Sequence, residues 1–345
     1  MELDSKSVSV CIVNWNGMKY IPQCLNSIYA QDYRGEIEII IVDNNSTDGS
    51  LEYLQICQNR IKLLKNKTNK GFSYAHNQAI KASKGAYILP LNFDLFMEKN
   101  FISEMVKTME ADPRIGVVSG KLYKQIDGNK SNLLDSTGIT MKWFFMIPRG
   151  ETEEDRGQYD GIDEHRVFGA CGAAPFYRKA MLDDIRFLDE FFDEDFVNYV
   201  EDVDLSWRAQ LRFWSCVYHP KAIAYHERGA TRKSSNKIKR DYLVYGFRNR
   251  YASMVKNMTS GYWRKNRVKI MCRELLFLFS PYAGVSRTVR FKALFLALIM
   301  LRKMLPKRRV IQQRKLVTDG YMDIFFCYDE VELRQLAKGL LSLIN

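Results

Sequence analysis

"VSVCIVNWNGMKYIPQCLNSIYAQDYRGEIEIIIVD", residues 8–43, decides the fold. The runs Val8–Val13 and Glu36–Asp43 are rich in β-branched residues. Between them, "MKYIPQCLNSIYAQ" places apolar residues at helical spacing. Strand, helix, strand is the signature of a β-α-β unit with a parallel pair. The same alternation continues through a strand near Ile61–Leu64, a helix over Ser73–Ala82, the strand "AYILPL", a helix over Phe101–Glu110 and the strand "IGVVSG". It predicts a mostly parallel sheet covered by helices on both faces. In open α/β sheets ligands sit beyond the carboxyl ends of the strands, where the loops "NWNG", "DNNSTDGS" and "NFDLF" are expected to converge.

After Gly120 the pattern loosens, and "KQIDGNKSN" and "RGETEEDRGQYDG" read as polar surface loops. Order returns with "RVFGACGAAPFYRKAM", "FFDEDFVNYVEDVDLSWRAQLRF" and short strands around Val217 and Ala224. From Ile238 to about Lys315 the signal is helical, and a last short helix is expected near Glu330–Leu343. The expected division is therefore an α/β part, residues 1–235, and a basic helical region, 236–345.

The 345 residues are 46% hydrophobic and 27% charged, a composition that folds around a sizeable core. The net charge of +12 is uneven, because Ser286–Lys315 holds no Asp or Glu. That points to an anionic partner for the C-terminal part. Arg287–Arg309 has two readings: a helix lying on an anionic membrane surface, or a packed helix with a solvated basic end. No apolar run reaches the roughly 20 residues that span a bilayer. Seven cysteines without a C-x-x-C pair suggest neither a disulfide framework nor a zinc cage. With no apolar signal core at the N-terminus, the expected location is the cytoplasm, peripheral at the inner face of the membrane. No nucleic-acid-binding motif is present, and no nucleic-acid partner is expected.

Within "YILPLNFDLF", residues 87–96, a buried-looking strand ends in Asn92 and Asp94. A carboxylate there is costly to desolvate unless it faces a cation or donors. Asp43 ends the strand "IIIVD" and could accept a hydrogen bond from the N3–H of a pyrimidine. Gly71 allows a close backbone approach at a helix N-terminus, and Asn77 interrupts that helix's apolar face. His76 reads as a solvated or hydrogen-bonded helix residue. In "NYVEDVDLSWR", Glu201, Asp202 and Asp204 crowd one helical turn, with Arg208 one turn after Asp204. Two readings fit this crowding: a solvated acidic helix start favoured by the helix dipole, or a cation, a substrate or an acid-base task that needs the carboxylates together.

The ordered set "VSVCIVNWNG", "IIIVDNNSTDGS", "NKGFSYAHNQAI", "YILPLNFD", "VFGACGAAPFYRKAM", "FDEDFVNYVEDVDLSWR" and "AIAYHERGAT" resembles the inverting glycosyltransferases of family 2, most closely their rhamnosyltransferase-like branch. The resemblance covers about residues 7–235. It implies a GT-A type, Rossmann-like α/β fold with a C-terminal helical extension. It also implies a nucleotide-diphosphate sugar donor, dTDP- or UDP-linked with dTDP-rhamnose first, and Mg²⁺ or Mn²⁺. By position, Val13, Asn14 and Asp43 would hold the base, and Gly71 and Asn77 would border the nucleotide. "NFD" falls at the DxD-type motif, so Asp94 is the expected metal and diphosphate residue, with Asn92 in place of the first aspartate. His226 falls where some relatives have a histidine metal ligand; a hydrogen-bonded structural histidine is the other reading.

Asp202 matches the family's general base, with Glu201, Asp204 and Arg208 orienting base and acceptor. The acceptor implied is a saccharide or lipid-linked glycan in cell-surface polysaccharide synthesis. The glycines of "GACGAAPFYRK", before Arg178, suit a backbone passing beneath an acceptor sugar and suit close helix-strand packing equally. Two other readings stand beside this one. A basic membrane- or nucleic-acid-binding protein without catalysis would need none of the acidic loops. A sugar nucleotidyltransferase would need a Gly-rich basic N-terminal loop, which "IVNWNGMKYI" lacks.

Overall fold

The computed structural model describes residues 6–142, 145–161, 166–228, 236–280 and 284–327. The helix expected near Glu330–Leu343 lies outside them. The chain divides into two compact units: Met1–Ile139 with Pro148–Lys233, and Thr140–Ile147 with Ser234–Asn345. A single cut at 235 does not describe this division, because a hairpin from the middle of the chain belongs to the second unit.

The first unit runs β1 (Val8–Asn14), α1 (Ile21–Tyr29), β2 (Ile37–Asp43), α2 (Ser50–Ile56), β3 (Lys62–Lys65), α3 (Phe72–Ala82), β4 (Tyr87–Asn92), β5 (Leu95–Met97), α4 (Phe101–Ala111), β6 (Ile115–Ile126) and β7 (Asn129–Ser136). The chain then forms the hairpin β8 (Ile139–Lys142) and β9 (Phe145–Pro148). It returns with β10 (Pro175–Arg178), α5 (Lys179–Ile185), α6 (Glu201–Leu211) and β11 (Ser215–His226).

The sheet order is β3-β2-β1-β4-β10-β6-β11-β5, with β7 against β6. β3, β2, β1 and β4 pair in parallel, as do β6 and β11; β10, β5 and β7 run antiparallel to their neighbours. The mostly parallel α/β sheet read from the sequence is therefore the observed one.

Alternation within β1 sends Val8, Val10 and Ile12 into a core with α1 and α4, and Cys11 into a second core with α3, α5 and α6. The helix α1 buries Ile21, Cys24, Leu25 and Ile28, the one-face spacing of a packed helix.

Three loops and strands differ from expectation. "KQIDGNKSN" is a hairpin, not a surface loop: Asp127 and Gly128 both have positive φ (49° and 82°), the geometry of a two-residue type I′ turn between β6 and β7. The short strands at Val217 and Ala224 are one strand, β11, with an irregularity between His219 and Ile223. "RGETEEDRGQYDG" is tied down: buried Lys121 takes Asp155 at 2.9 Å and Asp160 at 2.8 Å, and buried Arg149 donates to Thr137.

The second unit holds α7 (Asn236–Asn257), α8 (Ser260–Phe279), α9 (Arg287–Arg314), a 3-10 turn over Asp319–Phe325 and β12 (Phe326–Cys327), which pairs with β8. Thr259 and Ser286 cap α8 and α9, each accepting a backbone N–H. Arg250 of α7 and Glu274 of α8 form an ion pair, and Tyr251 donates to the same carboxylate at 2.9 Å. No helix among the described residues is long and apolar enough to cross a membrane.

Candidate active site

The register of the parallel strands places the expected loops side by side. Asn14 lies opposite Asp43, and Val13 opposite Asn92. At about 4.8 Å per strand, Asp43 and Asn92 stand about 10 Å apart across the mouth of β2, β1 and β4.

The loop after β1 is knitted to the loop after β2. Asn14 Nδ2 donates to Asp43 Oδ1 at 2.8 Å and to Ser50 Oγ at 2.9 Å. Asp43 Oδ2 accepts Ser46 N–H at 3.0 Å, Asn16 Oδ1 accepts Thr47 N–H, and Asp48 accepts Met18 N–H. Asp43 is buried, and these bonds use one acceptor position on each of its oxygens. The remaining lone pairs are what a base N–H would find.

At the end of β4 three polar groups converge. His226 Nε2 lies 3.4 Å from Asp94 Oδ1 and 3.5 Å from Asn92 Nδ2. On the other side of the ring, Nδ1 meets buried Asp135 at 2.9 Å, and Asp135 in turn pairs with Arg228 at 2.6 Å. Burial alone would disfavour an imidazolium, but the Asp135 and Asp94 carboxylates outweigh it and push His226 up to about 9. Burial raises the Asp135 carboxyl, and the contacts to His226 and Arg228 more than reverse it, leaving it below the ordinary range.

A carboxylate on one ring nitrogen, with the other nitrogen turned toward a second carboxylate, is how proteins orient a metal-binding histidine. The donor set of one carboxylate, one imidazole and one amide suits Mg²⁺ or Mn²⁺ when phosphate oxygens and water complete the shell. Among the described residues, no group of three or more His, Cys, Asp or Glu is arranged to hold a metal. His219, by contrast, pairs with Glu104 at 2.7 Å.

The third wall comes from α6. Just before it, Val197 has φ 65° and ψ −66°, and Asn198 N–H bonds to Phe196 C=O at 2.7 Å: a γ-turn of the rare positive-φ kind. Tyr199 and Val200 follow, both left-handed. Three departures of this sort within four non-glycine residues store strain where the acidic turn begins.

Asp202 is partly exposed at the head of α6. Its Oδ2 accepts Gly172 N–H at 2.7 Å and its Oδ1 accepts Val203 N–H at 2.8 Å. The next residue, Ala173, accepts Asn92 N–H at 2.9 Å. The carboxylate of Asp202 and the Asn92–Asp94–His226 group are thus fastened to the two sides of one short segment, residues 172–173. Surrounding protein raises the Asp202 carboxyl above the ordinary range, against the pull of its two N–H donors. Burial and then the Asp202 charge raise Glu201 as well. Glu201 is buried, with Oε2 unpartnered among the described residues.

Several expected site residues have other work. Asn77 does not border an open pocket: its amide accepts from Phe191 and Phe192 N–H and donates to Phe192 C=O and Glu194, filling its capacity. The close approach at Gly71 is to the chain itself, since a Cβ there would lie 2.6 Å from Val197 Cγ1 and 2.9 Å from its carbonyl oxygen. Asp204 and Arg208 form a buried pair at 3.0 Å, and Arg208 also donates to Ile185 and Phe191 C=O. They fasten α6 to its neighbours.

Arg178 likewise donates to backbone carbonyls at Ile115 and Met109. The glycines before it answer to helix packing, because a Cβ on Gly169 would strike Ser206 and one on Gly172 would crowd Asp202. His76 is buried rather than solvated, its ring tilted 52° against that of Phe72 at 4.1 Å, with Nδ1 unpartnered among the described residues.

Sequence reasoning missed Asp135. Its signal was an acid directly after the apolar pair Leu133–Leu134 and before Ser-Thr-Gly, a shorter form of the run that ends at Asp43.

A parallel α/β sheet with acidic groups gathered at the strand mouths defines a GT-A-like fold. Residues 9–186 match the family model described as glycosyl transferase family 2, and the chain belongs to that family. It is 34% identical over 131 residues to Glycosyltransferase GlyG of Streptococcus pneumoniae, a match covering 36% of this chain and 42% of that protein. The chain spans half or less of the length of the curated relatives it matches. Among solved structures, S. aureus TarS 1–349 in complex with UDP-GlcNAc superposes with a TM-score of 0.54 at 19% identity, over 89% of this chain and 88% of that one. GalNAc-T7 with UDP, GalNAc and Mn²⁺ gives 0.58 at 16% identity, over 84% and 54%.

Proposed function

We propose that the first unit transfers a sugar, with inversion at the anomeric carbon, from a nucleotide-diphosphate donor to a hydroxyl of a saccharide or lipid-linked glycan acceptor. One observation supports this reading above others: residues 172–173 bind Asp202 on one side and the strand end of Asn92, Asp94 and His226 on the other. A base and an anion-handling group on a common wall are what displacement of a diphosphate by a hydroxyl requires.

Asp202 would accept the acceptor's proton as its oxygen attacks. A carboxyl raised above its ordinary range is a stronger base than a surface aspartate. The Glu201 carboxyl, raised by burial and then by the Asp202 charge, lies beside it, so the two titrate together. Val13, Asn14 and the loop braced by Asp43 would hold the base of the nucleotide. Asp94 and His226, with Asn92 beside them and Asp135 fixing the ring, would hold Mg²⁺ or Mn²⁺, which when bound supplies positive charge to the departing diphosphate.

Sequence resemblance favours dTDP-rhamnose as donor. TarS with bound UDP-GlcNAc favours UDP-GlcNAc as the second reading. A panel of dTDP- and UDP-sugars with Mg²⁺ or Mn²⁺, with donor turnover measured and product configuration read by NMR, tests both. Transfer that retains the anomeric configuration, or full activity in both Asp94→Ala and Asp202→Asn, would overturn the assignment.

A further inference from the structure

We propose that the outward faces of α8 and α9 dock on an anionic lipid surface. Both helices are apolar on two opposite sides. α8 turns Tyr262, Asn266, Ile270, Arg273 and Phe277 inward, while Val268, Met271, Leu275 and Phe279 face out. α9 buries Val289, Ala293, Ala297, Met300 and Met304 and leaves Phe291, Phe295, Leu298, Ile299 and Leu305 outside. These outward residues are each 42–68% exposed; those of α8 recur every three or four positions, and Phe291, Phe295 and Leu298 of α9 do the same with Leu305 two turns beyond Leu298, so each set forms a stripe along its helix. The rings of Phe279 and Phe291 meet at 5.6 Å, which joins the two stripes into one patch. Contiguous exposed apolar surface of this kind marks a binding face.

Charge decides the occupant. From Tyr242 to Thr318 there are eighteen Lys and Arg and a single acid, Glu274. That acid is engaged by Arg250, Arg273 and Tyr251. Exposed Arg264, Arg267, Lys292, Arg302 and Arg309 stand along or beside the stripes. A second copy of the chain would bring like charges together around the same patch. A nucleic acid would leave the Phe and Leu stripes uncovered. Lipid satisfies both features, taking the apolar residues to the level of the acyl chains and the long basic side chains to the headgroups. This inference does not depend on the donor or on Asp202.

Flotation of the full chain with vesicles tests it, using phosphatidylglycerol mixed equally with phosphatidylcholine against phosphatidylcholine alone. The expected result is binding to the anionic vesicles only. Leu275→Glu with Phe295→Glu should reduce it about tenfold or more, and Lys292→Glu with Arg302→Glu should do the same. All four positions are exposed, so circular dichroism should be unchanged.

The proposal is overturned if the wild-type chain stays unbound, if it binds neutral vesicles equally well, or if the Leu275/Phe295 variant binds as the wild type does. It is overturned in favour of a second copy if sedimentation shows a dimer that the same variant dissociates while vesicles are ignored.

Discussion

Asp202 sits with each carboxylate oxygen on a backbone N–H, so an amide in its place keeps one of these bonds and turns its NH2 toward the other donor. In Asp202→Asn the side chain keeps its volume and one acceptor oxygen but loses the ability to take a proton. The rate of transfer should fall about 10²- to 10⁴-fold and stability by about 1 kcal/mol or more for the lost N–H bond, measured by donor turnover and by denaturation. Asp135 acts one residue further out. Asp135→Asn should weaken Mn²⁺ binding in the presence of UDP about tenfold or more, read by electron paramagnetic resonance of free Mn²⁺, because the His226 ring loses the partner that fixes its orientation. His76 gives the pH prediction. Burial pulls its pKa from 6.5 down to about 3, so between these values the unfolded chain binds the extra proton and the folded chain does not. Its stabilising effect is complete above about pH 6.5 and is lost as pH falls toward 3, at about 1.4 kcal/mol per unit. His76→Phe should remove that slope in urea denaturation compared with the wild type.

The elements show what periodicity can and cannot convey. β1, β2, β4 and α1 were legible because each buries a clear run or face of apolar residues, and the loops at their ends were legible as the places where that apolarity stops. The β6–β7 hairpin was not, because Lys, Gln, Asn and Ser dominate it and only the Asp-Gly pair betrays the turn. Asn77 reads as a polar break on α3, yet its partners lie more than a hundred residues away at Phe191–Glu194, and no local pattern carries such a pairing. Asp135 and His226 are 91 residues apart, a pairing just as absent from any local pattern. The γ-turn at Val197 is invisible for another reason: valine is among the residues least suited to positive φ, so its presence there reflects what surrounds it. Gly71 is part of that surrounding. Gly71→Ala should destabilise by about 2 kcal/mol or more, combining a φ of +85° with contact against Val197. Val197→Gly should recover part of this loss, since it removes the Cγ1 contact and relaxes the turn; a double-mutant cycle in denaturant measures the coupling.

At the level of the whole molecule, the sequence located the change from α/β to helical character near residue 235 but gave no sign that Thr140–Ile147 belongs with the later part. The pairing of Phe326 with Met141 is the reason, a contact between two short segments with no shared pattern. The hairpin's ends are closely held, because Ile139 N–H bonds to Gly169 C=O and Arg149 N–H to Gly138 C=O, both at 2.8 Å. Replacing residues 140–147 by a tight Gly-containing turn should therefore leave β1–β4 protected from hydrogen exchange and raise exchange in Asp319–Cys327, as mass spectrometry would detect.

That same interleaving bears on how such a chain can be inherited and built. A ribosome releases the hairpin long before it makes Phe326–Cys327, so the small sheet is among the last pieces to close. A single recombination breakpoint cannot transplant the helical part between relatives intact, because two separated stretches of gene must travel together.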